Sequence, residues 1–217
     1  MDNYPDTVSR LPYSHWVRWD RFFDDLEDQL ASEWEAERAA LDTEAERLRL
    51  SRVTIRDRLG ALIDRERATP APAFEFADGT VIPAEVTGVG ADWIALEPAE
   101  SRGGAVLAPL AAVACVGMPH PDLLRSARPA AARAVMADRM TLGFVLRDLV
   151  RRRVGVVLHL RSGRSLTGTI DRAGADHLDL ALHDPGAPRR AGEVTGHRLV
   201  SFEALAWIRL DGTATPR

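Results

Sequence analysis

Lysine is absent from the 217 residues, so all 28 basic side chains are arginines, and cysteine occurs once, at Cys115. A lone thiol closes no internal disulfide, and such usage fits a reducing, cytoplasmic setting. Aromatic residues make up only 6% of the chain, which leaves few rings for stacking on bases once a core is filled. The N-terminus lacks a basic stretch followed by an apolar one, so a secretory signal is not expected. The longest uncharged run, residues 103–121, carries three glycines and three prolines and is rich in Ala and Val. That composition suits strands and turns better than a membrane helix, and no membrane partner is expected. A phosphate-binding loop between strand and helix is also missing, and Gly88-Val89-Gly90 falls between two expected strands. No carboxylates pair at a spacing suited to acid–base work. The chain therefore reads as a non-enzyme, with no catalytic residue and no cofactor.

What is present is a globular composition, 46% hydrophobic and 28% charged, and an internal repeat. The segment FADGTVIPAEVTGVGADWIAL from Phe76 lies over LRSGRSLTGTIDRAGADHLDL from Leu160 without a gap. Gly79/Gly163, Gly90/Gly174, Ala91/Ala175, Asp92/Asp176 and Leu96/Leu180 are identical, and Ile82/Leu166, Val86/Ile170 and Ile94/Leu178 match in type at strand-like spacings. Downstream, PLAAVACV from Pro109 matches SFEALAWI from Ser201; upstream, LGALI from Leu59 matches LGFVL from Leu142. Each copy thus predicts a short helix, a hairpin turning at Asp78-Gly79 or Ser162-Gly163, and a second turn at Gly90 or Gly174. A third strand, a fourth strand, a tight turn and a last strand complete it. Leu110, Val113 and Val116, like Phe202, Leu205 and Ile208, recur every three residues, as a single helical turn places them. Cys115 aligns with Trp207 and is expected at an inner or half-buried position.

A helix followed by five short, bent strands resembles the Sm-like small β-barrel. The second copy carries the likeness best, in VVLHLRSGRSLTGTIDRAGADHLDLAL from Val156, where His177-Leu178-Asp179-Leu180 stands at a His-Met-Asn-Leu-type strand. Asp179 replaces the Asn that contacts a base in that family, and the first copy has Ala95 there. The closing segments lack the family's Arg-Gly pair, so the resemblance implies the shape and not the RNA pocket. The layout also resembles an uncharacterised actinobacterial Arg/Ala-rich protein family, sometimes labelled Fis-type regulators, although no helix-turn-helix is apparent here.

From Trp16 to Arg67 there is no proline, and Phe23, Leu26, Leu30, Trp34, Leu41, Ala45, Leu48, Ile55, Leu59 and Leu62 trace one helical face, interrupted at Glu37 and Arg52. An unbroken helix of about 50 residues would extend roughly 75 Å, so a break near residue 51 is expected, with Ser51 or Thr54 capping a new helix. The expected class is α+β: a flexible start (1–14), an amphipathic acidic helical arm (15–54), a helix plus small β-barrel (55–118), a linker or helix (119–137), a second helix plus barrel (138–210) and a flexible tail (211–217). The arm is expected to make a homodimer.

Charge divides along the same lines. Residues 15–50 hold 11 acids and 5 Arg, net -6; residues 69–118 hold 6 acids and 1 Arg, net -5; residues 119–217 hold 10 acids and 16 Arg, net +6. Arg151, Arg152, Arg153, Arg161, Arg164 and Arg172 of the basic unit are the candidate contacts for the phosphates of RNA or another polyanion, with little sequence specificity. The other expectation is a protein partner, with acidic and basic faces mating. His177, Asp179 and His183 share one face of a strand by period two, with His159 near, a set that metals accept; solvated polar residues explain the same pattern, and no metal site is assigned.

Overall fold

The computed structural model describes residues 16–63, 70–99, 104–128, 139–184, 190 and 192–211. The segments expected to be a flexible start, most of the linker after residue 128 and nearly all of the tail fall outside them. Two compact units are described separately: the N-terminal helix and everything from Val53 onward.

The helix, α1, is Trp16–Ser51. Its 36 residues correspond to about 54 Å. It ends where the sequence predicts a break. Three residues on, Thr54 opens α2 (Ile55–Gly60) with a reciprocal capping box, its side chain accepting from the Asp57 N–H while the Asp57 carboxylate accepts from the Thr54 N–H.

The rest of the chain is strand-rich. β1 (Ala73–Phe76), β2 (Val81–Val89), β3 (Trp93–Pro98), β4 (Val106–Pro109) and β5 (Val113–Gly117) form the first repeat; after α3 (His120–Ser126) and α4 (Leu142–Arg152), β6 (Gly155–Leu160), β7 (Ser165–Ala173), β8 (His177–Leu182), β9 (Gly196–Ser201) and β10 (Leu205–Leu210) form the second. All pairings are antiparallel, in one ten-stranded sheet of order β5-β1-β2-β3-β4-β10-β6-β7-β8-β9. The sheet is mixed with helices as an α+β fold, and among the described residues it is open at β5 and β9. Two separately closed sheets were the expectation; in strand pairing the repeats are instead continuous, because β4 of the first pairs with β10 of the second.

The duplication holds down to individual hydrogen bonds. Gly79 N–H donates to Phe76 O as Gly163 N–H does to Leu160 O, Gly90 to Trp93 as Gly174 to His177, and Leu110 to Asp92 as Phe202 to Asp176. Gly79 and Gly163 share a left-handed φ of 82° and 79°, the conformation glycine adopts without a Cβ clash. Even the irregularities recur, at Val86/Gly88 and at Ile170/Arg172. The residues expected every three positions form 3-10 turns, Leu110–Ala112 and Phe202–Ala204. The helices depart from the expected alignment: Leu59 is the fifth residue of α2, whereas Leu142 is the first of α4. They correspond through their N-caps, Thr54 and Thr141, which brings Leu59 and Leu62 over Leu146 and Leu149, all buried. Cap and buried face set the helical register, and the shared Leu-Gly pair does not.

There are two cores. One gathers Leu59, Leu62, Phe74, Phe76, Val86 and Ile94 with Ala206 and Trp207; the other gathers Leu142, Leu146, Leu149, Leu158, Ile170 and Leu178 with Trp93, Ala95 and Leu107. Each thus contains residues of the opposite repeat. Successive side chains on β4 and β10 point to opposite faces, and both faces of these strands are covered. This seam accounts for the uncharged β4 part of the run, which is buried at every position, whereas the one charge in β10, Arg209, stands at its one exposed position. Trp207 ties the seam together: it stacks on Phe76 with centroids 6.2 Å apart, and its indole N–H donates to Asp78 at 3.0 Å. Replacing Trp207 with Ala removes both contacts and leaves a cavity, at a cost of about 3–5 kcal/mol. Trp207→Phe keeps an aromatic ring and loses less, an order that urea unfolding measures.

Candidate functional site

The α4 helix and the β6–β7 hairpin carry all six candidate arginines, and every one of them is exposed. Asp148 takes both Arg151, at 2.6 Å, and Arg152, at 2.8 Å. Arg153 ends the helix with φ 52°, a left-handed cap that usually falls to glycine. Arg161 and Arg164 lie at the β6–β7 turn, where Arg161 donates to the Ala111 carbonyl of the first repeat at 2.8 Å. Arg172 is near the far end of β7, beyond the Gly155↔Thr169 pair. The hairpin thus separates the six: Arg151–Arg153 and Arg172 are at one end, Arg161 and Arg164 at the other. Five residue steps from Gly155 to Leu160 span about 17 Å, so the two groups suit an extended polyanion rather than a single phosphate.

The histidines are not gathered. His177 is exposed, with Nδ1 2.7 Å from the Asp176 carboxylate, and that hydrogen bond lowers the Asp176 pKa. His183 is buried: its Nδ1–H donates to the Asp184 carbonyl at 3.0 Å, and its Nε2 is hydrogen-bonded with the Thr169 hydroxyl at 2.8 Å. Among the described residues no group of three His, Cys, Asp or Glu is placed to hold a metal ion. The period-two pattern placed His177 and His183 on one face; the structure gives them opposite environments.

Cys115 also departs from expectation. It is exposed, because β5 pairs with β1 alone while the equivalent Trp207 sits in a strand flanked on both sides. Its thiol donates to Glu75 at 3.1 Å, and the adjacent carboxylate raises its pKa. A thiol held protonated is a poor nucleophile.

Sequence reasoning gave His159 too small a part. It occupies the second-repeat position of Glu75, directly across from Trp207, and the two rings stack 3.5 Å apart within 6° of parallel. Its Nε2 is buried without a hydrogen-bond partner among the described residues. Burial lowers its pKa below the usual 6.5, and the Arg209 charge adds to the effect against a weaker pull from Asp78. The unfolded chain therefore binds this proton more readily than the folded one, so stability rises with pH through this titration. It is lost as pH falls from about the ordinary histidine value toward the depressed one. The denaturation midpoint should drop between pH 7 and pH 5, and His159→Phe, which keeps the stack, should flatten that drop. Comparison with known proteins finds no matching family model, no matching curated protein and no matching solved structure.

Proposed function

We propose that the chain is a non-enzymatic binding protein, an adaptor or regulator, in which α1 joins two copies and the two repeats act as barrel-like binding units. The observation that carries this reading is the apolar side of α1. Phe22, Phe23, Leu26, Leu30, Trp34, Leu41 and Leu48 are all exposed, and Trp34, Leu41 and Leu48 follow one another at steps of seven. A second α1 is the partner such spacing fits, because a heptad stripe is covered by a matching stripe. Acidic residues flank it, and intrahelical pairs such as Arg49–Glu46 at 2.6 Å help to solubilise the remaining surface. The two-barrel reading is supported by the repeated strand order and by the separate cores, each topped by its own helix. Leu41→Glu places a charge in the paired stripe and should convert a dimer to a monomer in sedimentation equilibrium, with the unfolding midpoint of the sheet unchanged. A wild-type monomer at all concentrations removes the reading.

A polyanion such as RNA is the second reading, favoured by the exposure of all six arginines in a segment of net charge +6. Phosphate contacts release counterions, so binding of a single-stranded RNA should fall steeply between 50 and 200 mM salt. Arg161→Ala with Arg164→Ala, and Arg153→Ala with Arg172→Ala, should each weaken it without altering sequence preference. Absence of binding at low salt ends this reading and leaves the scaffold.

A further inference from the structure

We infer that copies of this chain add to one another edge to edge, β9 of one pairing antiparallel with β5 of the next in the register by which β4 already pairs with β10. This is independent of the pairing proposed for α1.

The correspondence is residue by residue. In the seam Leu107 faces Ile208 and Val106 faces Arg209, and Leu210 N–H donates to Ala105 O at 2.9 Å. On the β8 side Asp179 pairs with Leu199 as Ala95 pairs with Leu107, which makes Leu199 the equivalent of Leu107 and Arg198 that of Val106. On the β1 side Phe74 pairs with Val116 as Leu158 pairs with Ile208, which makes Val116 the equivalent of Ile208 and Gly117 that of Arg209. The two open edges of the sheet are therefore the two halves of the joint that the chain makes internally.

What the seam buries, the open edges expose. Leu107 is 0% accessible and Leu199 72%; Leu142, at the start of α4, is 2% and Ile55, at the start of α2, 48%. Trp207 is buried and Cys115 exposed. A large aliphatic side chain standing out from a sheet edge with unpaired backbone groups is an invitation to strand addition. The contact is heterologous: a β9 edge meets a β5 edge, so each copy keeps one of each. Charge favours it, since β9 belongs to the +6 segment and β5 to the -5 segment. The outer joint is also more polar than the seam, with His177 for Trp93, Asp179 for Ala95 and Arg198 for Val106, which makes it reversible and sensitive to salt.

Cysteine cross-linking of the full chain tests the register. Since Leu210 and Ala105 are a hydrogen-bonded pair, the neighbouring Arg209–Val106 pair, and with it Gly117–Arg198, is the non-hydrogen-bonded kind, about 4.5 Å between Cα atoms. That separation admits a disulfide. A Cβ at Gly117 meets nothing closer than the Ala73 Cβ at 3.8 Å. Full-length Cys115→Ser, Gly117→Cys, Arg198→Cys should give, on mild oxidation, a ladder of covalent dimers, trimers and larger species; either cysteine alone should stop at dimers. Leu199→Glu in the otherwise unaltered chain should weaken assembly beyond the α1 dimer roughly 10-fold or more, with the melting curve unchanged because the side chain is exposed. A double-cysteine protein that gives no ladder, or a Leu199→Glu variant whose mass matches wild type at every concentration, overturns the inference and leaves the α1 dimer untouched.

Discussion

The antiparallel pairing of β4 with β10 is the constraint on which the rest of the molecule depends. It joins strands nearly a hundred residues apart in sequence, and both of its faces are covered. Side chains alternate across it, so Val106 and Ala108 enter the first core while Leu107 enters the second, and Leu205, Ile208 and Leu210 enter the second while Ala206 and Trp207 enter the first. Neither core is complete without the other repeat. The start of α4 is bound to the same arrangement: the Asp92 carboxylate accepts from the Leu142 N–H at 2.6 Å, and the Met140 carbonyl accepts from both Ala91 N–H and the Trp93 indole. A Thr141 whose side chain makes no cap bond is thereby replaced as the helix cap by a residue of the first repeat.

This interlock accounts for the chemistry around it. Where β10 is flanked on both sides, the position across from β6 holds a Trp stacked on a half-buried His. Where β5 is flanked on one side, the equivalent pair is Cys115 and Glu75, hydrogen-bonded and open to solvent. One backbone frame has been filled twice under different boundary conditions. Charge follows the same rule: arginines accumulate on the helix end, turn and strand end that the seam leaves outside, and the seam strands carry Arg209 as their only charged residue.

Much of this was legible in the sequence. The repeat, its strands, the 3-10 turns and the break before Thr54 follow from periodicity and turn chemistry, which act over a few residues. The joining of the repeats was not legible, because strand pairing between distant segments leaves no local signal beyond an apolar run, and that run was compatible with two closed sheets. The helix alignment failed for a related reason: Leu-Gly pairs were matched by identity, whereas the helical register is fixed by cap and buried face. Cys115 was placed inward by alignment with Trp207, since an alignment transfers the position in a strand but not the presence of the strand next to it. A strict period of two puts His177 and His183 on one face, but it does not report what covers that face: along it His177 is exposed, while Ala181, still within β8, and His183 are buried.

An open sheet must manage its edges, and duplication does so unevenly. Two copies of a five-strand unit have four edges; pairing β4 with β10 removes two and leaves one of each kind. Proteins commonly blunt an exposed edge with charge, proline or a short strand. β9 carries His197 and Arg198, and β5 is followed by Met118 and Pro119, so part of this protection is present. Leu199 runs against it. A leucine at that position contributes nothing to either core of its own chain and adds apolar surface where solubility favours none. It stands at the site that Leu107 fills inside the seam, so one position of the repeat is fully covered in one copy and open in the other, and the difference between them is the presence of a neighbouring strand.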